Sequence, residues 1–138
     1  MKRNTGKPSE EIFETQIRKN GKSCFLHRLT DSSDIRGLNG KGHAPKQPAD
    51  YVLTLNGAMA YAEVKSTTHP TRFSLSLIKA SQWQAAVRQH AAGGAYLFFI
   101  HSLFTKAWYV IPISFLLENP SKKSWSWTEL QFAKTDWS

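Results

Sequence analysis

Two acidic residues and a lysine flank a tight-turn dipeptide near the middle of the chain, at a spacing that could support catalysis. Asn56-Gly57 is the dipeptide best suited to a two-residue type I′ turn, because both central residues of that turn have positive φ. In the hairpin that this turn predicts, Asp50 lies directly opposite Glu63, at a distance where like charges repel. Side chains alternate along a strand, so Lys65 shares the face of Glu63. The sequence therefore predicts two carboxylates and an ammonium group on one face of a hairpin.

Such a group of side chains suits the hydrolysis of a phosphodiester. Carboxylate oxygens bind Mg²⁺, which polarises a phosphoryl oxygen and lowers the pKa of a bound water. Lys65 could orient that water or stabilise the charge that develops on the phosphate. We therefore expect Mg²⁺ as the cofactor, with Mn²⁺ able to substitute. The alternative is that Asp50, Glu63 and Lys65 only neutralise one another on a solvated sheet face.

A third acid is expected on the first helix, which the pattern places at about residues 9–20. At about 100° per residue, Glu10 lies closer to the centre of the apolar helix face than Glu14 does, and Glu11 lies almost opposite. Glu10 is thus the acid expected to lean toward a buried site. The alternative is that all three glutamates only interact with the helix dipole.

Apolar runs of strand or helix periodicity occupy most of the remaining chain. Residues 30–47 are polar and rich in glycine, which predicts a long loop. The Trp-rich residues 124–132 predict a strand or a cover over the core, and stacking on unpaired bases is the alternative. The predicted strands are 23–29, 50–55, 58–65, 96–101 and 108–111, and the predicted helices after the hairpin are 81–91 and 113–118.

The net charge of +8, from 18 Lys and Arg against 10 Asp and Glu, favours a polyanionic partner. Most of the basic residues precede Asp50, and basic side chains bind phosphates without reading bases. The alternative is charge that only keeps the protein in solution. The residues expected to bind DNA are Lys2, Arg3, Lys7, Arg28, Arg36, Lys41 and Lys46.

Several other classes of protein are disfavoured by the sequence. The single cysteine, Cys24, excludes an internal disulfide and a cysteine-based zinc site. The basic N-terminus is not followed by an apolar stretch, so no signal peptide is expected. No run approaches the roughly 18 apolar residues of a membrane-spanning helix. We therefore expect a cytoplasmic protein, in a bacterium or a phage-infected host cell, with no membrane partner.

The order of a helix acid, Asp50, Glu63-Val64-Lys65 and a further helix resembles the PD-(D/E)XK nuclease superfamily. More of the chain, about residues 4–118, is similar to the RecU family of Holliday junction resolvases. The matching residues are Asn4 and Gly6 with Glu10, the pair His27-Arg28, Pro48-Ala49-Asp50 with Tyr51, Phe73-Ser74-Leu75, and Gln82.

The resemblance implies a restriction-endonuclease-like α/β fold, a mixed sheet flanked by helices. The length of the chain predicts one nuclease domain, spanning residues 1–138. The resemblance also implies Asp50 and Glu63 as metal ligands with the Val64 carbonyl, Lys65 as the catalytic lysine, and Glu10 and Gln82 as further members of the site. For Gln82 the alternative is an exposed helix residue. The implied partner is branched or double-stranded DNA, bound by a homodimer in which each subunit nicks one of two opposed strands.

One departure from the resemblance leaves other functions open. The segment 29–49 is shorter than the stalk that RecU proteins insert into a junction, so residues 30–48 are expected to be a mobile DNA-contacting loop or a shortened stalk. Residues 119–138 are a tail that the resemblance does not cover. Nucleases of the same fold that act on flaps, ends or duplex DNA, such as VRR-type or restriction-like enzymes, remain alternatives. A further alternative is a basic DNA-binding module without catalytic activity.

Overall fold

Three α-helices and seven strands make up the described parts of the chain. The computed structural model describes residues 6–29 and 46–137. Short 3₁₀ helices occupy Gly21–Ser23, Leu75–Leu77 and Gln131–Ala133. In chain order the main elements are α1 (Gly6–Arg18), β1 (Cys24–Arg28), β2 (Tyr51–Leu55), β3 (Ala58–Thr67), β4 (Arg72–Ser74), α2 (Ala80–Ala91), β5 (Ala95–Ser102), β6 (Ala107–Pro112), α3 (Ile113–Leu117) and β7 (Ser124–Ser126).

A five-stranded mixed sheet forms the centre of the fold, with strand order β1-β2-β3-β5-β6. Strand β3 pairs in parallel with β5, and the other neighbours are antiparallel. The parallel pair needs a crossover connection, which α2 supplies. The predicted α/β architecture, a mixed sheet flanked by helices, is confirmed.

Helices cover both faces of this sheet because its strands are apolar on both sides. Phe99 on β5 packs with Phe13 and Ile17 of α1 in one buried cluster. Its neighbours Phe98 and Ile100 point to the opposite face, as the two-residue period of a strand requires. That second cluster includes Ala86 of α2 and residues of β4, β7 and α3. The hairpin β2–β3 therefore lies between two layers, with α1 on one side and α2 on the other.

The ends of two elements differ from the sequence prediction. Helix α1 begins at Gly6, before the predicted start, because Pro8 is tolerated in a first helical turn. The Trp-rich segment forms a strand only over Ser124–Ser126, which pairs with the unpredicted strand β4. Trp125 and Trp127 are buried, so the prediction that this segment covers the core is confirmed and base stacking is not.

Two further predictions concern the chain as a whole. Among the described residues, no helix combines the length and apolar character needed to cross a membrane. The predicted loop or stalk falls mostly outside the described ranges, and the assignment of residues 1–138 to one domain stays a prediction.

Candidate active site

The β2–β3 hairpin positions Asp50 opposite Glu63, as the sequence predicts. Asn56 has φ of 52° and Gly57 has φ of 86°, the positive values of a type I′ turn. Tyr51, the first residue of β2, pairs with Ala62. Asp50 directly precedes β2 and therefore lies beside Glu63. The predicted register is therefore confirmed.

Backbone amides of the hairpin hold both carboxylates. The Asp50 amide donates to Oε1 of Glu63 at 3.1 Å, and the Val64 amide donates to Oδ2 of Asp50 at 3.0 Å. Glu63 thus accepts a hydrogen bond from the backbone of Asp50, and Asp50 accepts one from the residue that follows Glu63. Backbone amides of the hairpin therefore help to orient both carboxylate groups.

Glu63 and Lys65 are too buried for a solvated sheet face. Glu63 is 1% exposed, and the Lys65 side chain is 16% exposed. Lys65 Nζ lies 3.4 Å from Oε2 of Glu63. A buried carboxylate keeps its charge only with partners, so this pair differs from the exposed ion pairs common on surface hairpins. The solvated sheet face of the alternative is therefore wrong, while the roles of Asp50, Glu63 and Lys65 stay predictions.

The surroundings of both carboxylates disfavour their charged forms. Burial raises the pKa of Glu63 to about 7, and the negative charge of Asp50 adds to this, while Lys65 opposes it. Burial also raises the pKa of Asp50, opposed by the Val64 amide and by the positive charges of Lys65, Arg28 and Lys79. The site therefore favours the arrival of additional positive charge.

On the α1 side, Arg28 connects Glu10 and Glu14 with Tyr51. Arg28 Nη1 lies 3.5 Å from Oε2 of Glu10 and 3.8 Å from Oε2 of Glu14, and it donates to the Tyr51 hydroxyl at 3.0 Å. That hydroxyl donates to Oε2 of Glu14 at 2.6 Å. Burial raises the pKa of Glu10, opposed by Arg28, and the negative charge of Asp50 adds to the increase. Glu10 thus lies within electrostatic reach of Asp50, on the side of the helix that the sequence predicts.

On the α2 side, Gln82 and Lys79 line a cavity of about 180 Å³ together with Asp50 and Glu63. Gln82 is partly buried, and its Oε1 accepts a hydrogen bond from the Lys79 amide at 3.1 Å, which caps α2. The structure therefore places Gln82 at the carboxylates and gives it a helix-capping contact. Arg28 and Lys46, both predicted to bind DNA, line the same cavity.

The other predicted DNA-binding residues lie elsewhere. Lys7 is exposed in the first turn of α1, where it lines a separate cavity with Glu10, Glu11 and Glu14. The remaining four fall outside the described residues: Lys2, Arg3, Arg36 and Lys41.

Four contributors to the site were not predicted. Glu14 and Tyr51 hold Arg28, and the buried Tyr96 donates its hydroxyl to the Pro48 carbonyl at 2.5 Å, which fixes the chain just before Asp50. The i, i+4 spacing of Glu10 and Glu14 is the sequence signal that could have indicated Glu14. Lys79, directly before α2, is a fourth residue that sequence reasoning missed.

The donor set fits a magnesium ion that keeps water and substrate ligands. Within residues 6–29 and 46–137, no group of three or more His, Cys, Asp or Glu side chains is arranged to hold a metal. Glu10 instead faces Arg28, which leaves the pair Asp50 and Glu63. Mg²⁺ sites commonly use one or two carboxylates and complete the octahedron with water and substrate phosphate oxygens. Asp50 and Glu63, where burial and then the charge of Asp50 raise the pKa of Glu63, meet that requirement.

Comparison with known proteins supports the fold. No protein-family model and no curated protein matches this sequence. Among solved structures, the chain is similar to Archaeoglobus fulgidus Hjc, described as a Holliday junction resolvase from an archaeal hyperthermophile. The TM-score is 0.61 at 18% sequence identity, over 92% of this chain and 93% of that chain. The predicted fold, a mixed sheet flanked by helices, is thereby confirmed as one that the Hjc structure shares. The resemblance to PD-(D/E)XK nucleases, and to RecU proteins in particular, stays a prediction.

Proposed function

We propose that this protein is a Mg²⁺-dependent, structure-selective DNA endonuclease that resolves Holliday junctions. The observation that carries the proposal is the half-buried Asp50 next to the buried Glu63, which Lys65 contacts. Both carboxylates line a cavity whose walls carry further cations. Such a cavity suits a polyanion that must be bound and cut at one phosphate. Support for a junction substrate comes from the fold shared with a structure described as a Holliday junction resolvase.

Each residue of the site has a distinct part in the proposed reaction. Asp50, Glu63 and the Val64 carbonyl would hold Mg²⁺, which lowers the pKa of a water and polarises the phosphate when bound. Lys65 stabilises the negative charge that develops on the phosphate. Arg28 and Lys46 bind phosphates beside the cleaved bond. Glu10 and Gln82 act from the two helices, Glu10 through Arg28 and Gln82 as part of the cavity wall.

Resolution of a junction requires two cuts on opposed strands, so the proposal includes a homodimer with one site in each subunit. A two-fold symmetric dimer matches the near two-fold symmetry of a four-way junction. Paired symmetric nicks are therefore the signature of the proposed function, and single nicks would indicate independent subunits.

A matched substrate panel tests the proposal. Four-way, flap and linear duplex DNA of shared sequence are incubated with the protein, with Mg²⁺ and with EDTA. Symmetric paired nicks in the four-way substrate alone, dependent on Mg²⁺, are the expected result. Cleavage of flaps or duplex at equal rates would favour a nuclease of the same fold with another substrate. Binding without cleavage under any metal condition would favour a non-catalytic DNA-binding module.

A further inference from the structure

A second concave region adjoins the carboxylate cavity along α2. It has a volume of about 480 Å³, and Lys46, Gln47 and Ser81 line both cavities. Because these three residues are shared, the two cavities form one groove that runs from Asp50 and Glu63 along the helix. We call this region, between Lys79 and Arg88, the α2 groove.

The α2 groove presents one polar face of the helix. Ser81, Gln84 and Arg88 recur at the i, i+3, i+7 spacing that places side chains on the same side of a helix. Ala86, on the other side, is buried in the core. Tyr61 of β3 forms part of the opposite wall. The groove therefore combines cations, side-chain amides and a phenol ring.

Charge distinguishes this groove from the cavity on the α1 side. Helix α2 contains no acidic residue, and no acidic residue in the described ranges lines the part of the groove beyond the carboxylates. The cavity beside α1 is lined by three glutamates, Glu10, Glu11 and Glu14, against two cations, Lys7 and Arg28. A phosphate backbone is repelled by the glutamates and attracted by the cations beside α2.

We propose that the α2 groove binds the nucleic-acid strand on one side of the cleaved bond, with Lys79 and Arg88 contacting its phosphates. This inference rests on the proposed nuclease function. Arg88 follows Lys79 by nine positions, a rise of about 13 Å along the helix, which corresponds to about four nucleotides of a duplex strand. The amides of Gln47 and Gln84 and the ring of Tyr61 face the sugar and base moieties between those contacts.

Substitution of the two cations tests the proposal. Lys79→Gln and Arg88→Gln keep helix-forming side chains, and both wild-type residues are exposed. Affinity for a labelled immobile four-way junction and for a duplex of the same sequence is measured in EDTA, over a range of salt concentrations. Each variant is expected to bind about tenfold more weakly and to reduce the salt slope by about 0.9. Lys134→Gln, an exposed residue outside both cavities, is the matched control and should bind as the wild type does.

Neutral phosphate substitutions locate the contact. Single methylphosphonates are placed at successive positions on either side of the cleaved bond. The wild type should lose affinity for substitutions on one side, and Arg88→Gln should be insensitive to one of them. Equal sensitivity on both sides, or variants that bind like Lys134→Gln, would overturn the α2 groove while leaving the nuclease function intact. A wild type that neither binds nor cuts any DNA of the panel overturns both.

Discussion

The two helices that flank the carboxylate pair bring opposite chemistry to it. On the α1 side, Glu10 and Glu14 approach the site and are held by Arg28. On the α2 side, Lys79 and Gln82 line the cavity. Three glutamates therefore lie on one side of the proposed cleavage centre, along α1. For the proposed DNA substrate this difference predicts a direction, because cations along α2 attract a phosphate chain and the glutamates of α1 repel it.

Arg28 lies at the boundary between the carboxylate cavity and the cavity beside α1. Its guanidinium lines the carboxylate cavity and also the acidic cavity beside α1. Burial lowers the pKa of Arg28, but the charge of Glu10 and the Tyr51 hydroxyl outweigh this and raise the pKa overall. A permanent positive charge therefore stands between the glutamates of α1 and Asp50, and it limits their repulsion.

Asp50→Asn and Lys65→Ala each remove a charged group from the proposed cleavage centre, which lies between the two helices. They are expected to have the largest effects on cleavage. Cleavage should fall roughly a thousandfold or more in each variant. Asp50→Asn loses a proposed metal ligand, and Lys65→Ala loses the ammonium group that stabilises the charge developing on the phosphate. DNA affinity should be retained, since the cations of the α2 side are unchanged. Single-turnover cleavage of a four-way junction and binding in EDTA measure the two quantities.

Matched substitutions at exposed sites control for nonspecific charge effects. Asp136→Asn and Lys134→Ala repeat the chemical changes outside the cavity. Both controls should cleave as the wild type does. Full activity in Asp50→Asn or Lys65→Ala would remove that residue from the proposed site.

Glu63→Gln tests whether the folded protein disfavours the negative charge of Glu63. The pKa of Glu63 is raised from 4.5 to about 7 by burial and by Asp50. Between these pH values the folded protein holds a proton that the unfolded chain has released, so the free energy of unfolding falls as pH rises, by about 3 kcal/mol. Because Gln does not titrate, Glu63→Gln should be the more stable protein at about pH 8, with the difference lost below about pH 4.

Thermal unfolding with EDTA or Mg²⁺ measures this effect without any cleavage assay. Mg²⁺ should raise the Tm of the wild type at alkaline pH and have little effect on Glu63→Gln, since the ion binds the folded carboxylate pair. Glu118→Gln, at an exposed position, should follow the wild type. A wild-type Tm that rises relative to Glu63→Gln from acid to alkaline pH would contradict the assignment.

Local rules made the hairpin predictable from sequence. Asn56-Gly57 fixes the turn, and the turn fixes the register, so the opposition of Asp50 and Glu63 follows from residue spacing alone. The helical period similarly indicated Glu10 as the acid nearest the site. These inferences succeed because each depends on residues a few positions apart.

Contacts between distant segments were not predictable in the same way. The Tyr96 hydroxyl bonds to Pro48, and strand β4 pairs with β7, across long stretches of chain. No short-range spacing encodes these contacts, which depend on how the layers pack. Lys79 is a partial exception, because Gln82 three residues later stands at the capping-box position of α2 and marks where that helix begins.

The smallest expected effects come from Tyr51→Phe and Tyr96→Phe, which compare one hydroxyl on each face of the sheet. Each substitution removes a hydrogen bond of a buried tyrosine and should lower the free energy of unfolding by about 1–2 kcal/mol. Function should separate them. Tyr96→Phe releases Pro48 next to the Asp50 segment and should slow cleavage about tenfold, because small displacements at a reacting centre are costly. Tyr51→Phe loosens Arg28 and should mainly weaken DNA binding.

Tyr109→Phe is the matched control, because Tyr109 is equally buried and its hydroxyl contacts Thr105, at 3.5 Å, outside the carboxylate cavity. Denaturant unfolding, cleavage rate and DNA affinity are measured for all three variants. If cleavage in Tyr96→Phe falls no further than in Tyr109→Phe, the Tyr96 hydroxyl only stabilises the fold. If cleavage falls while the loss of stability is matched, the hydrogen bond to Pro48 positions Asp50. The site then depends on both faces of the sheet in different ways, through substrate binding on one and through placement of the carboxylates on the other.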